Sequence, residues 1–216
     1  MKRSTGAVIA CALVVGLLGG CQKTARIAWD EPRCVTQKRT PLYVGELCCP
    51  KREGHLWGSK ASGEGIGKHT FTVFAIPVGD IHASSDTPVA GSFDRAVREA
   101  LTAAGYDIRP ESQAPQGAPV LRGDLKECFF WSYSWFYPLF VQGGKTRVAL
   151  RMEQPGQGCI WKREFKGDGP GVGFIGSFGF DGMVRRAMNS MLADIAAECS
   201  REEFRQKVSA TAVASH

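Results

Sequence analysis

The sequence predicts an α+β fold: a two-layer sandwich in which a single sheet carries its helices on one face. Segments with strict apolar–polar alternation recur between residues 70 and 166. Two further segments place apolar residues at helical spacing, one inside that region and one after it. The order is strand, helix, strand, a three-strand antiparallel meander, then a C-terminal helix, which lets both helices cover one sheet face.

The first strand is read in "HTFTVFAIP", where Phe71, Val73 and Ala75 alternate with Thr72 and Phe74. The stretch "VGDIHASSDTPVAG" is read as a loop. In "SFDRAVREALTAAGYDIRP", Ser92 can cap a helix whose Phe93, Val97, Ala100, Leu101 and Ala104 share one face, and Gly105 ends it. A strand opens at "YDI", and the closeness of strand, helix and strand predicts a right-handed parallel crossover.

The meander begins with "APVLRGDLKECFFWSY". Leu121, Leu125, Phe129, Trp131 and Tyr133 have one parity and are expected inward; Arg122, Asp124, Lys126 and Cys128 have the other. "KTRVALRME" turns Val148, Leu150 and Met152 inward. "PGQG" supplies a turn, and "CIWKREF" turns Cys159, Trp161 and Phe165 inward. After a glycine-rich loop, Asp181 can cap a helix with Val184, Met188, Met191, Ile195 and Cys199 on one stripe. Residues 206–216 are expected to form a disordered tail, so the folded domain spans 70–205.

"CFFWSYSWFYPLF", Cys128 to Phe140, holds eight aromatic residues in thirteen positions. As a helix it would span only ~20 Å against a ~30 Å hydrocarbon core, so it is not a membrane span. Its first half continues the strand; its second half must be the hairpin end, because Pro138 cannot donate to a ladder. Trp135, Phe136, Tyr137, Leu139 and Phe140 then form an apolar tip, the candidate contact patch for an envelope protein or a bilayer surface.

Residues 1–20 carry Lys2 and Arg3, an uncharged apolar run from Ala7 to Leu18, and small residues before Cys21. That describes a secretory signal. Its removal leaves 196 residues and lowers the formal net charge from +6 to +4. This mild excess is the ordinary solubility charge, and nucleic acid is not an expected partner of an exported chain. Residues 21–69, rich in Gly, Lys and Pro with little periodicity, are read as a tether and cysteine-rich extension.

Of the eight cysteines, Cys11 lies in the signal and Cys21 at its exit. Cys34, Cys48, Cys49, Cys128, Cys159 and Cys199 remain, an even number that reads as disulfides in an oxidising compartment. Cys128 and Cys159 sit two strands apart in a meander, ~9.5 Å or more, too far to bond. An antiparallel helix returning along the last strand would bring Cys199 to the level of Cys159, which predicts a Cys159–Cys199 bond. Cys34, Cys48, Cys49 and Cys128 would then pair among themselves.

"LGGC", Leu18 to Cys21, resembles the lipobox of bacterial lipoproteins. The resemblance implies cleavage before Cys21, acylation of that cysteine, and a membrane anchor of several acyl chains. Gln22 rather than Asp after the cysteine implies the outer membrane, facing the periplasm. Together "TVFAIPVGD", "ALTAAGYDI", "VLRGDL", "RVALRM" and "CIWKREF" resemble small envelope lipoproteins of the YajG type, the amino-terminal domain of TolB and the periplasmic domain of the curli-secretion lipoprotein. That likeness covers about residues 70–198 and implies a non-catalytic binding or assembly adaptor.

No catalytic, metal or cofactor site is predicted. "GEGIGKHT" lacks the phosphate-loop spacing, since Ser62 and His69 stand where a glycine and a hydroxyl are needed. "GVGFIG" matches a dinucleotide pattern, but "SFGFD" separates it from the next helix. His55, His69 and His82 show no HExxH or paired spacing and read as loop histidines, with a metal held together with Asp80 or Asp86 as the alternative. A cell-wall or lipid hydrolase would need a convergent acid pair such as Asp80 with Glu153. A small-ligand carrier would need a pocket between sheet and helices.

Overall fold

The computed structural model describes residues 23–32, 39–47, 49–50, 65–71, 76–136, 139–174 and 180–209. Among these residues ten strands form one mixed sheet, and the helices pack on one of its faces. The spine is a long hairpin of β7 (Val120–Phe136) and β8 (Leu139–Gln154). On the outer edge of β8, β9 (Gly158–Asp168) pairs with Lys145–Gln154 and β10 (Gly171–Phe174) with Leu139–Gln142. The expected three-strand meander is therefore present.

The other edge of β7 is shared by three short parallel partners, taken in turn along its length. β2 (Thr40–Val44) meets Val120–Leu121, β3 (Cys49–Pro50) meets Asp124–Leu125, and β4 (Gly65–Phe71) meets Phe130–Ser134. Beyond β2 lies β6 (Tyr106–Pro110). Beyond β4 lie β5 (Ile76–Ala83) and then β1 (Lys23–Ala25). The sheet thus reaches well before residue 70: Ala25, Ile27, Leu42, Val44 and Leu47 are buried in the same core as the rest.

Two local expectations change. The segment read as a loop after Pro77 continues β5, and the first strand is β4; residues 72–75 lie outside the described residues. Because β5 runs antiparallel to β4, while β4, β7, β2 and β6 are mutually parallel, the strand entering the helix is antiparallel to the strand leaving it. The crossover is not the parallel unit expected.

Helix α1 (Val89–Ala103) buries Phe93, Val97, Ala100 and Leu101, and Ala104 just beyond it, as the spacing requires. Pro88, not Ser92, is its cap; Ser92 is buried one turn in, its N–H donating to the Pro88 carbonyl at 2.9 Å. Gly105, at φ 100°, makes the left-handed exit that a side chain would strain. Helix α2 (Asp181–Cys199) buries Val184, Met188, Met191, Ile195 and Cys199 against β8 and β9. Asp181 is its first residue rather than its cap; its Oδ1 accepts the Arg26 N–H at 2.9 Å, and Asn189 Oδ1 accepts the Asp30 N–H at 2.8 Å. The segment following β1 is thereby tied to the helix layer.

Helix α3 (Glu202–Ser209) continues through residues assigned to the tail, and its Phe204 and Val208 are buried. Residues 210–216 lie outside the described residues. Phe204 meets Trp161 and Tyr106 edge-on, with centroids 4.8 and 5.6 Å apart. Tyr106 donates its hydroxyl to the Cys199 carbonyl at 2.8 Å, satisfying an orphan acceptor at the end of α2.

Candidate functional site

The site is created by a break in the β7 ladder. Leu125 pairs with Val148, but the next pair is Glu127 with Arg147, so Lys126 is an extra, unpaired residue. Such a bulge leaves two residues facing one and inverts the alternation beyond it. Before the bulge Leu121, Gly123 and Leu125 face the core. After it Phe130 and Ser132 are fully buried, and Cys128 packs against the core. Phe129, Trp131 and Tyr133, expected inward, therefore lie on the outer face, opposite the helices.

On that face Tyr133 is 39% exposed, and Val141, directly across from it on β8, is 38% exposed. Phe129 and Trp131 are half-buried, and the Trp131 and Tyr133 rings pack with centroids 5.1 Å apart. Trp131 reaches over its partner Gly143, as Phe130 does over Gly144 on the other face. A Cβ at either glycine would strike the ring, so "GG" serves aromatic packing within a ladder rather than a turn. The result is an apolar stripe on an open sheet face.

Below the bulge the same face is charged. Arg122 bonds Glu111 and lies 3.2 Å from Glu153; Arg151 lies 2.6 Å from Asp124 and 2.7 Å from Glu153; Arg147 lies 3.0 Å from Glu127 and 3.4 Å from Glu164. The hydrogen bond to Glu153, with the Asp124 charge, holds Arg151 more firmly protonated than usual. The Arg122 pairs are solvent-washed and worth at most ~1 kcal/mol each, whereas Asp124 and Glu127 are largely covered, so their pairs with Arg151 and Arg147 hold this half of the face more firmly.

Among the described residues, one cavity opens at the end of this charged half and another beside α1. The first, about 350 Å³, sits beside the β8–β9 turn, bounded by Glu111, Arg122, Glu153, Gln154 and Cys159. The other, about 680 Å³, lies between Trp29 and α1. There the Trp29 indole donates to Glu99 at 2.6 Å, and the Arg95 guanidinium stands 5.0 Å over its ring.

The predicted cysteine arrangement is overturned. Among the described residues there is no disulfide, and Cys128, Cys159 and Cys199 are free thiols. A second bulge explains Cys159: Met152 pairs with Trp161, but Glu153 pairs with Cys159, so Ile160 is skipped and the parity inverts. Cys159 turns to the outer face, exposed, its thiol donating to the Trp161 carbonyl at 3.3 Å, while Cys199 is buried under the helices. Burial pushes the Cys128 thiol up to about 12 and the Cys199 thiol higher still. Cys21, Cys34 and Cys48 lie outside the described residues, and Cys49 is described only by its backbone in β3.

Of the aromatic tip, Trp135 and Phe136 extend β7 and Leu139 and Phe140 extend β8, with Phe136 opposite Leu139. Tyr137 and Pro138, and the side chains of all five tip residues, lie outside the described residues. Sequence reasoning therefore placed the interaction surface at the tip and missed the stripe beside it. The only local signal for that stripe was the pair of glycines facing two aromatics.

The candidate chemistry does not assemble. Asp80 pairs with Lys68, level with Trp131 and Gly143, whereas Glu153 lies ten residues further along β8, ~33 Å away. Residues 65–70 of "GEGIGKHT" lie in strand β4, and "GVGFIG" opens as strand β10. No group of three His, Cys, Asp or Glu side chains capable of holding a metal occurs among the described residues. Nor is any helix among them long and apolar enough to cross a membrane.

No family model and no curated protein matches this sequence. Among solved structures, a Xanthomonas campestris protein is similar with a TM-score of 0.45 at 11% identity, over 82% of this chain and 92% of its own. A neuraminyllactose-binding hemagglutinin homologue from Helicobacter pylori gives 0.43 at 12% identity, over 86% and 97%. Likeness at this level carries no functional argument.

Proposed function

We propose that this chain is a lipid-anchored envelope protein, held to the outer membrane through Cys21 and facing the periplasm, that acts as a non-catalytic adaptor by binding another protein. The observation that carries the binding role is the outer-face stripe of Phe129, Trp131, Tyr133 and Val141. Trp and Tyr presented on a rigid two-strand platform give large contact area at low entropic cost. The charged half of the same face supplies a polar flank that sets orientation. A partner with an exposed apolar patch fits this surface. The anchor rests on the signal and on "LGGC", Leu18 to Cys21.

Mild crosslinking followed by pull-down of the acylated chain tests the binding role. One stoichiometric envelope protein is expected, and Trp131→Ser with Tyr133→Ser should weaken its capture ~10- to 100-fold at an unchanged melting temperature. Equal capture by the double variant refutes the stripe as the binding surface. Cys21→Ser should leave the chain unprocessed or unanchored, and blocking lipoprotein signal cleavage should make the precursor accumulate. If neither happens, the anchor is refuted.

A further inference from the structure

We propose that the end of the β7–β8 hairpin, carrying Trp135, Phe136, Leu139 and Phe140, enters the surface of the bilayer that holds the Cys21 lipid. This rests on the anchor proposed above and adds which end of the domain meets the membrane.

The described sheet begins almost at once after Cys21. Strand β1 opens at Lys23, two residues after Cys21. Two residues reach at most ~7 Å, so the acylated cysteine is held close to the sheet itself. Register then shows where on the sheet. Lys23 pairs with Ile81 in the parallel β1–β5 ladder, and two residues back along β5 is Gly79. Gly79 pairs with His69, His69 with Ser132, and Ser132 with Gln142. The lipid attachment thus lies within ~7 Å of Lys23 and no further toward the hairpin end than this row.

Direction follows from the same ladders. Moving backward along β1 is moving backward along β5, forward along β4 and forward along β7. The chain therefore leaves β1 for its lipid in the direction in which β7 runs to its hairpin end. That ladder continues four residues past Ser132 to the Phe136–Leu139 pair, ~13 Å. The headgroup layer of a leaflet is only ~5–8 Å thick. A domain anchored level with the Ser132 row would bring an end that overshoots by ~13 Å into that layer.

The residue types suit the location. Trp135, Phe136, Leu139 and Phe140 stand at this end, and β10 adds Val172 and Phe174 alongside Val141 and Leu139. Trp at the boundary with Phe and Leu beyond it is the composition of an interfacial segment. The opposite end of the spine, at the Val120–Glu153 pair, is twelve residues from Ser132, ~40 Å away, and is polar: Glu111, Arg122, Glu153 and Gln154. It would face away from the bilayer.

The test separates orientation from acylation. The mature chain is prepared with a histidine tag directly before Gln22 and bound to phosphatidylethanolamine–phosphatidylglycerol vesicles containing nickel-chelating lipid and brominated acyl chains. Bromine quenches tryptophan emission only at bilayer depth. Part of the wild-type emission should be quenched, that quenching should be lost in Trp135→Phe, and it should persist in Trp29→Phe. No quenching in the wild type, or quenching that survives Trp135→Phe, overturns the proposal. Quenching lost instead in Trp131→Phe would lay the outer face on the bilayer and overturn it equally. The mass of the native mature chain reports acylation of Cys21 separately, so failure of the anchor leaves the vesicle result to stand by itself.

Discussion

Deleting Lys126 tests the feature on which the outer-face stripe depends. With the bulge, Lys126 is the surplus residue, and its removal lets Leu125–Val148 and Glu127–Arg147 become consecutive pairs with every later side chain on its present face. What is lost is the Lys126–Asp124 ion pair at 3.8 Å and the local twist; Asp124 keeps Arg151 at 2.6 Å. With Lys126 exposed and 3.8 Å away the pair is worth ~0–1 kcal/mol although Asp124 is buried, so a total cost of ~1–2 kcal/mol is expected. At ~2–4 °C per kcal/mol for a chain of this size, the melting temperature should fall ~2–8 °C. An unbroken ladder predicts the opposite. In it Phe129, Trp131 and Tyr133 face the core, so deletion would exchange the faces and expose all three, at more than ~5 kcal/mol for the lost aromatic burial. Thermal unfolding by circular dichroism reads the cost, and oxidative labelling of Tyr133 reads its face. A deletion variant that does not fold, or a Tyr133 that is protected before the deletion and labelled after it, refutes the bulge.

Cys159 should react with a thiol reagent in the native protein, Cys128 much more slowly, and Cys199 only on unfolding, as peptide mapping after timed labelling would show; protection of Cys159 would contradict its outward turn. Tyr106→Phe removes the hydroxyl that donates to the Cys199 carbonyl in a buried site and should cost ~1–3 kcal/mol, or ~2–12 °C in melting temperature; an unchanged melt would mean that this bond contributes nothing. Burial raises the folded-state pKa of Cys128, Cys199 and Tyr106 above the unfolded values of 9.0 and 10.0. Above pH 9 the unfolded chain sheds protons that the folded chain keeps, so stability present below pH 9 should be lost progressively from there toward pH 12; denaturant midpoints that hold constant to pH 11 would refute this.

The elements legible in the sequence are those whose signal is local. The stripe Val184, Met188, Met191, Ile195, Cys199 needs only a 3.6-residue period, and the inward Val148, Leu150 and Met152 of β8 need only a period of two. The meander followed from short turns between alternating segments. What the sequence could not reveal depends on partners distant in the chain. Strands β1, β2 and β3 are three, five and two residues long, too short to carry a period, and exist because β5, β6 and β7 offer them edges.

The two bulges show the same limit more sharply. Nothing in "LKECFF" marks Lys126 as surplus; it is surplus because β8 supplies one residue where β7 supplies two. That single count turned Phe129, Trp131 and Tyr133 outward, and its counterpart at Ile160 separated Cys159 from Cys199. Parity along a strand is a local quantity, but the face it refers to is set by the ladder, and each skipped residue reverses its meaning for everything that follows. The sequence alone therefore determined which residues alternate, and the tertiary structure decided which of the two alternating sets is the core.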